Sequence, residues 1–419
     1  MGRKATNPAV TAALEQDFDT NSLPPGWAVV AFDDTVKEGR PKIGKVKSSD
    51  FLPYGQFPVV DQGQSFIAGY SNDPEGVYGG PLPVIVFGDH TRIFKYVDFP
   101  FLAGADGTQV LIPNDKRFDP RFLFFALSAL QIPSRGYNRH FTILKQKSLP
   151  QPPLPEQKAI AQVLRTVQRA KEATEKVIAA CRQLKQSLMR HLFTYGPVAF
   201  DQADKVALKE TEIGEMPEHW GICELSQLLR QPLRNGHSAR ATNNDQGIRT
   251  LILTAITQDD FSLNNTKLTV ADPNRVRDLW LENGDIFVER ANTLEYVGLA
   301  ALYEGPHGFA IFPDLLVRVR VDTQKIIPKL LAEFLLSPFC RDYYHRNAKS
   351  TAGSFPKIDH GTIEQTPIAV PSYDEQCRGV ECFRAIDRKI ESEEGRHQAL
   401  TTLFNTLLHH LMTGKVRVV

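Results

Sequence analysis

Histidine beside a carboxylate and histidine in a basic loop are the arrangements in this chain that could do acid–base or metal chemistry. Asp89-His90 and His140 are the candidates, and a metal-dependent nuclease could be built on them. A lone loop histidine more often packs or hydrogen-bonds, and no complete catalytic set accompanies these two. The chain has no GxxxxGK[ST] phosphate loop, no GxGxxG after a strand, no GxSxG elbow and no HExxH. Its five cysteines, Cys181, Cys223, Cys340, Cys377 and Cys382, form no CxxC and no Cys/His pair at zinc spacing, which argues against a zinc finger or a disulfide framework. The expectation is a chain with no catalytic residue, no metal ligand and no cofactor of its own.

The more informative chemistry is cationic. Arg135, Arg139, Lys145 and Lys147 follow one another without an intervening acid, interleaved with Tyr137, Asn138 and His140. Arginine and lysine neutralise phosphates, while Arg to guanine and Asn to adenine are pairings that read base edges in a major groove. A solvated basic loop is the plainer reading of such a stretch standing alone. It does not stand alone: Arg341, Tyr344, Arg346, Lys349, Ser350 and Lys357 lie in the matching place of the second half. Two strand-end segments add Asp89, His90, Thr91, Arg92, Lys95 and Tyr96 in the first half, and Arg290 and Asn292 in the second. For these two segments an ordinary polar strand-end turn is the plainer reading from the residues alone; with the basic stretches, the second of which is read as a loop, they are the candidate residues for a nucleic-acid surface.

The elements that must position them come twice. Glu156-Gln157 returns as Glu375-Gln376, and the same shift of 219 positions, without a gap, aligns Leu188, His191, Leu192 and Thr194 with Leu407, His410, Leu411 and Thr413. From Ile160 the apolar positions step through Val163, Val167, Ala170, Thr174, Val177, Cys181, Leu184 and Leu188, alternating by three and four, which is heptad spacing. The second copy runs through Val380, Phe383, Ile386, Ile390, Leu400, Leu403, Leu407 and Leu411, with a weak point expected at Gly395. A helix of about 38 residues spans roughly 57 Å and needs a partner to cover its stripe. Each copy can be the other's partner in an antiparallel coiled coil.

Before each helix lies a strand-rich stretch. Runs at 28–32, 57–61, 84–87, 93–97 and 109–112 read as strands, and Asp119-Pro120 reads as the N-cap and first residue of a helix over 120–130. The second half repeats the order with strands at 250–255, 285–289, 297–303 and 315–321 and a helix over 327–336. The fold class is therefore α+β: two mixed, strand-rich domains with two long helices and pseudo-twofold symmetry. The parts are an N-terminal extension (1–22, with a helical hint over 10–18), a first domain (23–150), the first long helix (151–198), a polar linker (199–215), a second domain (216–368) and the second long helix (369–419).

With 419 residues, 49 Lys+Arg against 48 Asp+Glu and a net charge of +1, the chain is long enough for two cores and carries no global field for nucleic acid. Any polyanion must be met by a local patch. No apolar h-region opens the sequence and no run reaches membrane-spanning length, so a cytoplasmic location is expected.

The set LPPGW at Leu23, PPLPEQKAIAQVL at Pro152, LMRHLFTYG at Leu188, MPEHW at Met216, YDEQ at Tyr373 and LLHHLMTGK at Leu407 resembles the specificity subunit of type I restriction-modification enzymes. The likeness covers nearly the whole chain after the first twenty residues. It implies two target recognition domains that each read one half of a split double-stranded DNA sequence, with the helices as a ruler setting the gap at about one helical turn, roughly 34 to 36 Å. It also implies partners: two modification subunits that methylate adenine with S-adenosylmethionine, docking near Glu156, Gln157, Glu375 and Gln376, and restriction subunits that use ATP and magnesium. The competing readings are the stand-alone nuclease and a coiled-coil scaffold with no DNA role.

Overall fold

The computed structural model describes residues 23–39, 42–134, 136, 139–350 and 355–418. The helical hint at 10–18 falls outside them. The chain forms two compact units: Met1–Lys176 with Glu394–Val419, and Val177–Glu393. Each unit thus takes a strand-rich domain together with part of both long helices, so the compact bodies do not end where the helices begin.

In the first unit, β1 (Ala28–Ala31) brings the chain in, and a three-stranded antiparallel sheet follows from β2 (Val84–Gly88), β3 (Phe94–Val97) and β4 (Thr108–Leu111), in the order β3-β2-β4. The hydrophobic strand β2 is buried on both faces. A four-stranded sheet, Lys45–Val46, Leu102–Gly104, Phe57–Val60 and Gly69–Ser71, lies before and between these strands in sequence. Helix α1 (Pro120–Ala129) starts where the cap signal placed it, the Asp119 carboxylate accepting from the backbone N–H of Arg121 and Phe122. The chain returns along β1 as β5 (Ser148–Gln151), antiparallel, and enters the long helix α2 (Leu154–Tyr195).

The second unit repeats this plan. Strand β6 (Gly221–Glu224) opens it, β7 (Ile286–Glu289), β8 (Ala300–Leu302) and β9 (Leu316–Val319) pair in the order β8-β7-β9, and helices α3 (Pro328–Leu335) and α4 (Pro338–Asn347) follow. Strand β10 (Pro367–Val370) returns along β6 before helix α5 (Tyr373–Met412). Topology therefore reproduces the internal repeat that the sequence carries most plainly in its helices.

Within each unit the two long helices pack antiparallel. In the first, His397 reaches Glu175 at 2.8 Å, Lys171 lies over the Phe404 ring, and Leu411 joins Ile160 and Leu164 in the core. In the second, Lys185 meets Asp387 at 2.8 Å and Phe193 packs on Phe383. The seats differ. Phe125, sixth residue of α1, meets Phe404 edge-on at 5.9 Å. Glu333, sixth residue of α3, meets Lys185 and Lys329, each at 2.8 Å, with Asp387 completing the group. The repeat shift of 219 pairs Lys185 with Phe404 and Asp387 with Gln168.

Several expectations are corrected. Val177, Leu184 and Leu403 are exposed, because a straight helix of 3.6 residues per turn drifts about 20° per heptad away from a 3.5-residue stripe. Helix α5 runs unbroken through Gly395. A single glycine costs about 1 kcal/mol, and the Lys389–Glu393 and His397–Glu175 pairs hold the helix on either side. The expected strand at 250–255 ends at Leu251 and gives way to a short helix, Thr254–Thr257. The stretch at 297–303 is a strand only over β8, with a turn before it. The linker is not featureless: Leu208–Thr211 and Gly214–Pro217 form a hairpin.

Candidate nucleic-acid interface

The strand-end turn and the post-helix segment come together in both units through the same backbone bond. In the first unit the His140 N–H donates to the Asp89 carbonyl at 3.0 Å. In the second the Ile358 N–H donates to the Arg290 carbonyl at 2.9 Å. The loop after β2 or β7 is thus stitched to the segment after α1 or α3–α4, although they are far apart in sequence. Position along the chain had suggested these as separate patches; in each unit they form one surface.

Some predicted residues build that surface instead of facing out from it. Asp89 is buried, its carboxylate accepting from the backbone N–H of His140 and Phe141, each at 2.7 Å. The His140 ring is fully buried, with Nδ1 2.8 Å from the Asp89 carbonyl. Lys95 is buried too, donating to the carbonyls of Asp61 and Ser65, and burial lowers its pKa despite the nearby Asp61 carboxylate. Tyr96 lies under the Arg121 guanidinium at 3.8 Å, and Thr91 donates to the Gln62 carbonyl. His90 is half-buried, its N–H on the Gln62 side chain. Arg92 adopts φ 65° and ties the turn to the Ile132 carbonyl. On the exposed side remain Arg139 and Lys145, with Lys147 half-exposed. Arg135, Tyr137 and Asn138 lie outside the described residues.

The second basic stretch is corrected from loop to helix. Ser337 caps α4 by accepting from the Cys340 N–H, and Pro338 starts it. Serine followed by proline is a helix-start signal that could have found it. Tyr344 is fully buried on α4, against Gly298, where a side chain would collide with its ring. Arg341 reaches back to the carbonyls of Glu295 and Val297, holding the 290–298 turn. Arg346, Lys349, Ser350 and Lys357 stay exposed, and Lys349 and Lys357 pair through two backbone bonds beside Ala291. Arg290 is half-buried, and the Asn292 amide donates to Glu289 at 2.6 Å. Burial pushes the Glu289 carboxyl up to about 7, although the Asn292 amide and the Arg341 charge pull the other way.

Glu156, Gln157, Glu375 and Gln376, expected to dock partners, are turned into their own units. Gln157 is buried, donating to the carbonyls of Arg117 and Pro152 and accepting from the Asp119 N–H. Gln376 does the same with Lys325, Pro371 and Ile327. Glu156 accepts from the Trp27 indole and pairs with Arg417; Glu375 accepts from the Trp220 indole and His219. Burial alone would raise the Glu375 carboxyl, but hydrogen bonds from Ser372, His219 and Trp220 outweigh it and bring it to about 2. The repeated Glu-Gln is therefore a clamp that holds the first turn of each long helix to the domain before it. Buried groups left without these partners would cost about 1–3 kcal/mol each.

Residues 26–180 match the family described as type I restriction modification DNA specificity domain. The type I restriction enzyme EcoR124I/EcoR124II specificity subunit of Escherichia coli is 24% identical over 378 residues, 84% of this chain and 85% of that protein. The MjaVIII specificity subunit of Methanocaldococcus jannaschii is 24% identical over 318 residues, 73% and 72% of the two chains. The type I restriction-modification S subunit from M. genitalium superposes with a TM-score of 0.60 at 16% identity, over 94% of this chain and 97% of that one, a likeness of fold. The chain is thus similar to type I restriction-modification specificity subunits, through the matched domain over residues 26–180, through relatives aligned over most of its length, and in fold.

Proposed function

We infer that the chain is the DNA sequence-recognition subunit of a type I restriction-modification complex, each strand-rich domain reading one half of a split target. The observation that carries this reading is the stitched surface present twice, where a strand-end turn and a cationic segment meet on a rigid sheet. Arg139 and Lys145 on one such surface, and Arg346, Lys349 and Lys357 on the other, are exposed, which supports a role in holding phosphates, with shape and base reading left to the turns between them. The chain acts without catalysis of its own; adenine methylation with S-adenosylmethionine, and ATP- and magnesium-dependent cleavage, belong to two modification subunits and to restriction subunits. Docking falls to exposed helix faces such as that of Val177 and Leu184, seven residues apart, and not to the clamp residues.

The nuclease reading loses its support at His140, whose ring is sealed against Asp89. Among the described residues no helix is long and apolar enough to cross a membrane, and a cytoplasmic site of action is the proposal that goes with DNA as substrate.

Methylated adenines mapped in a cell that carries this chain and its modification partner test the reading. The expected pattern is one split sequence, and exchanging residues 216–368 for the same stretch of another specificity subunit should change one half of it only. Change in both halves, or methylation without sequence preference, sinks the assignment.

A further inference from the structure

The second unit holds a cleft of about 590 Å³, within the range of small-ligand sites, whose polar lining is Arg234, Asn235, His237, Arg275 and His360. None of the lining residues is a carboxylate. Neither arginine pairs with an acid among the described residues, and the acids nearest in sequence are engaged elsewhere. Asp272 caps a short helix at Asn274, Asp278 pairs with Arg277, Asp314 accepts from Ser238, and Asp359 accepts from the Thr362 N–H and hydroxyl.

The wall is built, not incidental. Arg234 and Asn235 pair with Arg318 and Val317 of β9, and the His237 N–H donates to the Phe312 carbonyl at 2.9 Å. Gly236 passes so close to the Phe312 and Pro313 carbonyls that a Cβ would collide with them. His360 Nε2 sits 2.8 Å from Asn235 Oδ1, which ties the two lining residues together, and His360 lies three residues beyond Lys357 of the candidate DNA surface. Two exposed arginines and two histidines line one cleft that no carboxylate lines, a residue set that suits a phosphate.

We propose that this cleft binds a phosphate group, held by Arg234 and Arg275 with His237 and His360 beside them. The phosphate belongs either to the DNA backbone next to the second half-site or to a small free phosphate compound. The first source rests on the recognition reading above; the second does not.

The test uses the full chain in its assembled methyltransferase complex, wild type and Arg234→Gln/Arg275→Gln, with Arg234→Lys/Arg275→Lys as the charge-preserving control. If the phosphate is a DNA phosphate, the Gln pair lowers the slope of log K against log salt by about 0.9, one phosphate's worth, and weakens cognate and mismatched DNA alike. The Lys pair restores most of the slope. In a second arm, inorganic phosphate is titrated into the full chain and the His237 and His360 ring resonances are followed by NMR. Shifts that vanish in the Gln pair, with an unchanged DNA slope, assign the site to a free phosphate compound. An unchanged slope together with unshifted imidazoles overturns the proposal. A wild-type complex that binds no DNA would refute the recognition reading instead, and the phosphate titration would still decide the cleft.

Discussion

The two units use one plan and seat their domains on the long helices with opposite chemistry. In the first unit the contact is aromatic: the buried Phe125 against Phe404, backed by Ile160 and Leu164. In the second the same positions hold Glu333 and Lys185, joined by Lys329 and Asp387. Burial alone would lower the Lys185 pKa, yet Glu333 and Asp387 raise it, so the cluster is charged and cohesive. Apolar area is indifferent to its partner, whereas a charge cluster accepts only a complementary one. A domain meant for one seat would leave bare charge or an unfilled ring on the other.

Three measurements would break or sharpen that contrast. Phe125→Ala should destabilise the first unit by about 4 kcal/mol, loss of a buried ring plus a cavity, read as faster amide exchange in α1 with α3 unchanged and little dependence on salt. Glu333→Ala should cost the second unit about 3 kcal/mol, because it leaves Lys185 and Lys329 with Asp387 alone, and the cost should shrink at 1 M salt. Equal salt response in the two variants would erase the distinction. The smallest effect concerns acid response. Glu289 is raised to about 7 in the fold from an unfolded value near 4.5, so its contribution is fully present below about 4.5 and lost as pH rises through 7. Glu375, held at about 2, behaves oppositely: its contribution is present above 4.5 and lost as pH falls towards 2. Glu289→Gln should therefore flatten the second unit's stability between pH 4.5 and 7 and leave its acid limb intact; an unaltered slope would show that Glu289 does not titrate there.

The long helices were legible because their signals are local: heptad spacing, proline before and glycine after. The α1 cap was legible for the same reason, in Asp119 followed by Pro120. What could not be read was which side of the surface a polar residue occupies. Asp89, Lys95, His140 and Tyr344 have the types expected of a DNA-facing residue, yet each is buried by a segment far away in sequence. The Glu-Gln pairs were visible as a repeat, but their clamp contacts were not, because apart from Pro152 and Pro371 the backbone groups that Gln157 and Gln376 satisfy lie some forty to fifty residues off. Placement of the candidate surfaces followed from repeat order; their individual contacts required the fold.

The clamp at the helix starts has a counterpart at the helix ends. Gly196, past the end of α2, lies against Trp220, Pro217 and Glu375, while Gly414, past the end of α5, lies against Pro24, and Arg417 reaches both Glu156 and the Pro25 carbonyl. Each long helix thus finishes at the turn that opens a domain, in one case through covalent linker 198–215 and in the other through contacts alone. The end of each long helix is therefore seated at the entry of a domain whether or not the chain runs on there. A chain joined from 418 to 23 and opened within 198–215 would keep both contacts, so connectivity could be permuted without disturbing either seat.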